Sequence, residues 1–112
     1  MRCISYSLTT RQFRDRSKTV TRRMGWLNLK VGTRLRGVVK AMGLKKGEKV
    51  EVLGIIEVTG VRRERLNEIT DEEVAKEGFP DMTRGDFIEM FCTNMKCKAT
   101  DFVTRIEFKY VD

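Results

Sequence analysis

The sequence predicts a small α+β domain, in which a mostly antiparallel, barrel-like sheet carries two helices placed together in the second half of the chain. Three observations lead to this expectation. The 112 residues suit one domain with a single core, spanning residues 1–112. Several segments alternate between apolar and polar side chains, as half-buried strands do. Two segments between residues 70 and 95 carry helix-start signals.

The chain begins with a predicted strand over residues 2–8. Thr9 and Thr10 follow it and are suited to cap a short helical turn that runs through Phe13. The single tryptophan, Trp26, is expected to be a core or lid residue rather than a platform for stacked bases.

Two more strands are predicted before the helices. The first covers residues 33–41, with Leu35 and Val39 on one face. After a turn at residues 45–48, a long strand with a bulge or bend near Gly54 is expected. Its alternating apolar residues are Val50, Val52, Ile56 and Val58.

The two helices are predicted from their capping residues. Residues 70–73, Thr-Asp-Glu-Glu, match a capping box, and the helix they start should end near Gly78, with Pro80 beyond it. Thr83 opens the second helix. Its apolar stripe, predicted to face the core, is Phe87, Ile88, Phe91, Cys92 and Met95.

The last strand has the clearest alternation in the chain. One of its faces is apolar or uncharged and the other is charged. The first face consists of Thr104, Ile106, Phe108 and Tyr110, and the second of Arg105, Glu107 and Lys109.

The positive charge is concentrated in the first half. The net charge is +7, and residues 1–65 hold 17 Lys and Arg against 5 Asp and Glu, whereas residues 66–112 hold 6 against 11. A surface that gathered the cations of the first half would attract phosphate, with an affinity that falls as salt rises. No apolar run approaches the roughly 20 residues of a membrane span, and no signal-peptide core is evident, so the expectation is a cytoplasmic protein without a membrane partner.

Cysteine and histidine usage excludes several classes of site. Three cysteines, Cys3, Cys92 and Cys97, do not form a disulfide framework, so reduced thiols are expected. Their spacing and the absence of histidine do not fit a structural zinc site, and neither a metal nor a cofactor is expected. The absence of histidine also excludes Ser-His-Asp and Cys-His catalysis, which leaves Lys, Glu, Asp, Tyr or Cys for acid and base roles.

The segment 16–23, Arg-Ser-Lys-Thr-Val-Thr-Arg-Arg, is the best candidate for a functional site. Lys18 and Thr21 are three residues apart, so a helical turn or tight loop would place an amine beside a hydroxyl. That pairing suits a lysine-activated nucleophile or a phosphate clamp, although basic loops with threonine are also common on protein surfaces. The candidate ligand-binding residues are Arg16, Lys18, Thr19, Thr21, Arg22 and Arg23.

Several of these segments together resemble the ASCH domain, over nearly the whole chain. They are a Lys-x-x-Thr-x-Arg motif, a glycine at the entry of a strand, a Glu-Gly pair before a helix that contains phenylalanine, and a closing Val-x-x-Ile-x-Phe strand. In this sequence they lie at residues 18–23, 31–32, 77–78 with 86–91, and 103–108.

The resemblance implies a PUA-like β-barrel with peripheral helices and an association with RNA binding or RNA-linked chemistry. One branch of the family removes the acetyl group from N4-acetylcytidine, and its catalytic Lys, Thr and Glu fall on Lys18, Thr21 and Glu77. The family usually has glycine two residues before the lysine, where this chain has Arg16. Glu77 has a second interpretation, since it could share a solvated helix face with Glu72 and Glu73.

These observations support three functional hypotheses. The leading one is a domain that binds RNA, a nucleotide or a nucleoside in a basic cleft around residues 18–23. The alternative is a small amidohydrolase in which Arg22 and Arg23 lower the pKa of Lys18, so that it accepts the Thr21 proton, and Glu77 passes a proton to the leaving amine. The third is a module whose basic face docks an acidic protein. An enclosed pocket would favour the enzyme, and an open basic track would favour the RNA binder.

Overall fold

A mixed five-stranded sheet is the centre of the structure, a computed structural model that describes residues 1–41 and 44–112. Its strands are β1 (Cys3–Ser5), β2 (Val20–Arg23), β3 (Arg34–Val38), β4 (Val52–Arg65) and β5 (Phe102–Tyr110). The helices are α1 (Thr10–Arg14), α2 (Asp71–Lys76) and α3 (Arg84–Met95), with a 3-10 turn at Leu66–Glu68. The α+β class and the adjacent pair of helices in the second half are as the sequence predicts.

The sheet has two free edges, and in this it differs from the expected barrel. The strand order is β1-β3-β4-β5-β2; β1 pairs with β3 in parallel, and the other three pairings are antiparallel. Within residues 1–41 and 44–112, the edge strands β1 and β2 form no ladder with each other. A side chain bridges them instead, since Nη2 of Arg23 on β2 donates a hydrogen bond to the Ser5 carbonyl of β1 at 2.6 Å.

Strand β2 replaces the helical turn or loop predicted for the candidate segment. Its residues pair with β5, with Thr21 opposite Ile106, so the backbone hydrogen bonds of the segment are made in a sheet. Val20 is fully buried. The run Thr19, Val20 and Thr21 is β-branched throughout, which favours a strand over a helix.

The bend predicted near Gly54 is present. Gly54 lies opposite Gly37, and the register between β3 and β4 shifts immediately beyond this pair. The ring of Phe13 from α1 packs over the two glycines, and a Cβ atom on Gly37 would lie 2.4 Å from its Cζ. Because of the shift, Val38 is buried and Val39, beyond the strand, is only half-buried, which corrects the predicted face of β3.

The helix starts are those that the sequence predicts. The Thr70 side chain accepts a hydrogen bond from the Glu73 amide at 3.2 Å, and the Thr83 side chain accepts one from the Asp86 amide at 3.1 Å. The α3 stripe is shorter than expected, because Met95 is 41% exposed. Among the described residues, none of the helices has both the length and the apolar composition that crossing a membrane requires.

Two apolar clusters form the core. The larger packs α1 against the sheet and consists of Ile4, Tyr6, Phe13, Leu35, Ile56, Val58, Ile106 and Phe108. The smaller lies under α2 and α3 and consists of Leu66, Ile69, Val74, Phe87, Phe91 and Val103. Half-buried Trp26 packs against the first cluster, with the Arg2 guanidinium 3.7 Å from its ring centre.

Candidate functional site

A cavity of about 100 Å³ lies where the two free sheet edges approach α3. One wall is polar and is contributed by β1, β2 and the end of α2. The other wall is mostly apolar and includes side chains of α3, with Asn94 as its polar member. The polar wall includes Ser5, Tyr6, Lys18, Thr21, Arg22, Arg23 and Glu77, and the apolar wall includes Leu8, Phe79, Phe87, Met90, Phe91 and Met95.

Lys18 is buried in the polar wall, with 2% of its surface exposed. Its Nζ donates one hydrogen bond to the Glu77 carbonyl at 2.8 Å and another to Glu77 Oε1 at 2.9 Å. The backbone on either side is anchored as well, because the Lys18 amide donates to Gln12 and the Tyr110 hydroxyl donates to the Lys18 carbonyl at 2.6 Å. The amine therefore has one fixed position.

Glu77 reaches Lys18 because α2 ends there. It occupies the C-cap position of α2, and Gly78 follows with φ +105°, a conformation that turns the chain and that glycine adopts without strain. A Cβ atom at Gly78 would also lie 2.8 Å from the Gln12 side chain. Glu77 is 3% exposed, so it does not belong to a solvated helix face, whereas the side chain of Glu72 is 82% exposed.

Arg22 in the polar wall contacts the carboxylates of three glutamates. Its Nη1 donates to Glu77 Oε2 at 3.0 Å, and its Nη2 lies 2.9 Å from Glu73 Oε1 and 3.4 Å from Glu64 Oε2. Burial of the Arg22 side chain is complete. These contacts use the two terminal nitrogens of the guanidinium, which are the groups that would grip a phosphate.

The network continues to the surface through Glu73. Its carboxylate also accepts hydrogen bonds from Arg105, and Lys76 lies 3.6 Å away. The hydrogen bonds from Arg105 and Arg22 outweigh the effect of burial and lower the pKa of Glu73 to about 2. Glu73 is therefore ionised at any pH near neutrality.

The surroundings of Lys18 favour the neutral form of its amine by lowering its pKa. Burial lowers the pKa of Lys18 below its ordinary value, and the charges of Arg23 and Arg22 act in the same direction, while Glu77 opposes them. The amidohydrolase hypothesis assigned this shift to the two arginines. In the structure burial is the larger cause.

Thr21 presents its hydroxyl to the same pocket. Thr21 Oγ1 accepts a hydrogen bond from Arg23 Nε at 3.0 Å, and Arg23 is held in turn by Ser5. Within the described part of the chain, Thr21 Oγ1 and Lys18 Nζ make no direct hydrogen bond. The structure thus brings Lys18, Thr21 and Glu77 to one cavity, with Lys18 and Glu77 in contact.

Two of the candidate ligand-binding residues lie elsewhere. Thr19 is exposed, and its amide donates to the Lys76 carbonyl. Arg16 is exposed and pairs with Asp112 at 3.3 Å. Arg16 has φ +63°, the left-handed region that favours glycine, so the backbone at this position has a conformation that suits the glycine usual in the ASCH signature.

Sequence reasoning missed two contributors to the site. Glu73 precedes Glu77 by four residues, and this spacing places both on one helix face, whose only interpretation from the sequence was a solvated one. Tyr6 lies in the first predicted strand and nothing nearby marks it as part of a pocket. Among residues 1–41 and 44–112, no group of three or more Cys, Asp or Glu side chains is placed to hold a metal ion.

Comparison with known proteins identifies the fold. Neither a protein-family model nor a curated protein sequence matches the chain. Solved structures do match, two crystal structures among them. A protein from Enterococcus faecalis described as DUF984 has 16% identity over 95% of this chain and 71% of that one, with a TM-score of 0.67. An ASCH domain from Lactobacillus crispatus has 17% identity over 98% of this chain and 77% of that one, with a TM-score of 0.60. The resemblance read from the sequence motifs is therefore confirmed at the level of the fold: this chain folds as an ASCH domain does.

Proposed function

We propose that the protein is a small amidohydrolase that removes an acyl group from an exocyclic amine, with N4-acetylcytidine as the representative substrate. The observation that carries this proposal is the buried Lys18–Glu77 pair beside Thr21 in one cavity. The substrate class rests on the ASCH resemblance. A pocket with one polar and one apolar wall also suits a flat base that carries an amide.

In this reaction Thr21 Oγ1 attacks the acyl carbon, and its proton passes to the neutral Lys18 amine through one water molecule, a route that general-base catalysis accepts. Lys18 Nζ lies 2.9 Å from Glu77 Oε1, so a proton continues along this contact to Glu77. Glu77 gives it to the leaving nitrogen as the C–N bond breaks. Water then hydrolyses the acyl ester on Thr21, and the products are the free amine and the carboxylic acid.

The leading hypothesis from the sequence, binding of RNA, a nucleotide or a nucleoside in a basic cleft, has less support from the geometry where it relies on phosphate contacts. Two of the cations expected to contact phosphate are already neutralised, because Arg22 pairs with three glutamates and Lys18 with one. Arg23 donates instead to the Thr21 hydroxyl and the Ser5 carbonyl and keeps its charge. The open basic track expected from the sequence would use arginines outside the 18–23 segment, and two of these, Arg14 and Arg34, pair with carboxylates at 3.0 Å and 3.3 Å. The uneven charge of the two halves still favours a polyanion as a second candidate. RNA affinity that falls steeply between low and moderate salt would support it.

The decisive experiment incubates the purified protein with N4-acetylcytidine and measures the cytidine released by chromatography. Thr21→Ala and Lys18→Arg should each lower the rate at least ~100-fold, since the first removes the nucleophile and the second a base that can lose its proton. The matched controls are Thr59→Ala and Lys30→Arg at exposed positions, which should keep the wild-type rate. Absence of hydrolysis by the wild type across several N-acylated nucleosides refutes the proposal.

The pH profile tests the role of Lys18 separately. Because burial lowers its pKa, the neutral amine should appear below the ordinary lysine value of about 10.4. The value of kcat/KM should therefore rise with pH and level off before that value is reached. A rate that is flat from pH 6 to 10 would assign the proton transfer to another group.

A further inference from the structure

The Tyr6 hydroxyl is a buried polar group without a partner. Tyr6 is 1% exposed, and in residues 1–41 and 44–112 no hydrogen-bonding atom satisfies its Oη. A buried hydroxyl left in this way costs about 1–3 kcal/mol, so such groups are rare unless a ligand completes them. Tyr6 lies in the wall of the cavity that holds Lys18, Thr21 and Glu77.

Most other strong donors of that wall are engaged, and among the described residues only Arg22 Nε shares the unpartnered state of the Tyr6 hydroxyl. Lys18 Nζ makes two hydrogen bonds to Glu77, and both terminal nitrogens of Arg22 bind carboxylates. Arg23 gives its Nε to Thr21 and its Nη2 to Ser5. Tyr6 therefore supplies a donor that is free to meet a ligand.

Its position relates it to the nucleophile. The Arg23 guanidinium, which donates to Thr21 Oγ1 at 3.0 Å, lies 5.0 Å from the centre of the Tyr6 ring. Tyr6 and Thr21 thus contact the same guanidinium. Burial raises the pKa of Tyr6 well above its ordinary value, so the hydroxyl keeps its proton and remains a donor.

From this geometry we infer that the Tyr6 hydroxyl binds the acyl carbonyl oxygen of the substrate and selects acylated over free amines. The inference rests on the proposed function for the identity of the ligand. When Thr21 attacks the acyl carbon, negative charge develops on that oxygen, and a fixed donor stabilises it.

Binding measured without turnover tests the inference. In a Thr21→Ala background the acylated ligand stays intact, and its Kd and that of cytidine are compared with and without Tyr6→Phe. Loss of the hydroxyl should raise the Kd of N4-acetylcytidine about 10-fold and leave the Kd of cytidine unchanged, because only N4-acetylcytidine carries the acyl oxygen. Equal effects on both ligands, no effect on either, or no binding of the acetylated ligand by the Thr21→Ala parent overturns the inference.

Thermal unfolding separates this role from a structural one. Tyr6→Phe should leave Tm unchanged or raised, because it removes an unsatisfied group, whereas Tyr110→Phe loses the bond to the Lys18 carbonyl and should lower Tm by about 4 °C. A fall in Tm for Tyr6→Phe as large as that for Tyr110→Phe means that the hydroxyl has a structural partner, and it overturns the inference.

The two proposals can fail independently. If the wild type hydrolyses acylated nucleosides but Tyr6→Phe changes the Kd of neither ligand, Tyr6 is misassigned and the hydrolase stands. If the wild type hydrolyses none of them but Tyr6→Phe still weakens the binding of N4-acetylcytidine alone, the carbonyl contact stands and the hydrolase falls.

Discussion

Two sets of ion pairs in this protein join a basic residue to a glutamate in opposite surroundings. Lys18 and Glu77 meet at 2.9 Å with side chains 3% and 4% exposed, while Arg34 and Glu57 meet at 3.3 Å with side chains 58% and 25% exposed. The distances are similar. What differs is water, which screens the second pair and is excluded from the first.

The difference shows that the basic first half contains two functional classes of cation. The exposed arginines contribute net charge and little else, since an exposed pair stabilises a protein by about 0–1 kcal/mol. The buried cations are costly to desolvate, and they persist because three glutamates surround Arg22 and one holds Lys18. In the described part of the chain, the cations that line the cavity are the buried Lys18 and Arg22 and the half-buried Arg23. Total charge therefore says less about function here than the place of each charge.

Removal of Arg22 should have the largest effect on stability. Arg22→Met leaves three buried or half-buried glutamates without their common partner, so the free energy of unfolding should fall by about 3–5 kcal/mol. Arg34→Met at the exposed pair should cost under about 1 kcal/mol. Urea denaturation of the two variants measures the contrast. Equal losses would mean that the buried network is no more important than a surface pair.

The same contrast explains what the sequence could and could not predict. The caps at Thr70 and Thr83 are local signals, and both were predicted correctly. The last strand was also predicted, but its burial does not alternate over residues 103–106, which are all buried, Arg105 among them. The strand at residues 20–23 was missed because its identity depends on pairing with β5, which is far away in the sequence. The β-branched run was too short to outweigh the charged residues around it.

The residues proposed for the site could be selected from the sequence, but their surroundings could not. Lys18 and Thr21 were selected by their spacing and Glu77 by the family resemblance, and all three line one cavity. The burial of Glu77 was not predictable, because it depends on a contact with Lys18 across 59 positions of sequence. Tyr6 carried no signal at all, since an unsatisfied hydroxyl is visible only once its neighbours are in place.

Acid should test the Glu73 part of the buried network. Its pKa is about 2 in the folded protein, below the ordinary glutamate value, so its contribution is present at neutral pH and is lost as the pH falls towards 2. This pKa shift contributes about 3 kcal/mol to the free energy of unfolding at neutral pH, and most of that contribution is lost by about pH 3. The loss of stability between pH 7 and pH 3 should be smaller in Glu73→Gln by about 2 kcal/mol.

The exposed Glu72 provides the control for this titration. Glu72→Gln should unfold in acid as the wild type does, because its side chain is 82% exposed. Urea denaturation at a series of pH values measures all three proteins. Identical acid sensitivity in the wild type and Glu73→Gln would show that Arg22 and Arg105 do not hold this carboxylate.

The smallest expected effect lies at the exposed pair between Arg16 and Asp112, where backbone conformation should matter more than charge. Arg16 has φ +63°, which costs any residue with a Cβ atom about 1 kcal/mol, and its pair is largely exposed. Arg16→Gly and Arg16→Ala lose the same side-chain contacts. The glycine variant should nevertheless be more stable by about 1 kcal/mol, because glycine adopts this φ without strain.

Arg14 provides the control, because it also forms an exposed pair but lies in α1. There the order should reverse, with the alanine variant more stable than the glycine variant by about 0.5–1 kcal/mol. Thermal or urea unfolding of the four variants measures this comparison. If Arg16→Ala is at least as stable as Arg16→Gly, the backbone at position 16 is not strained.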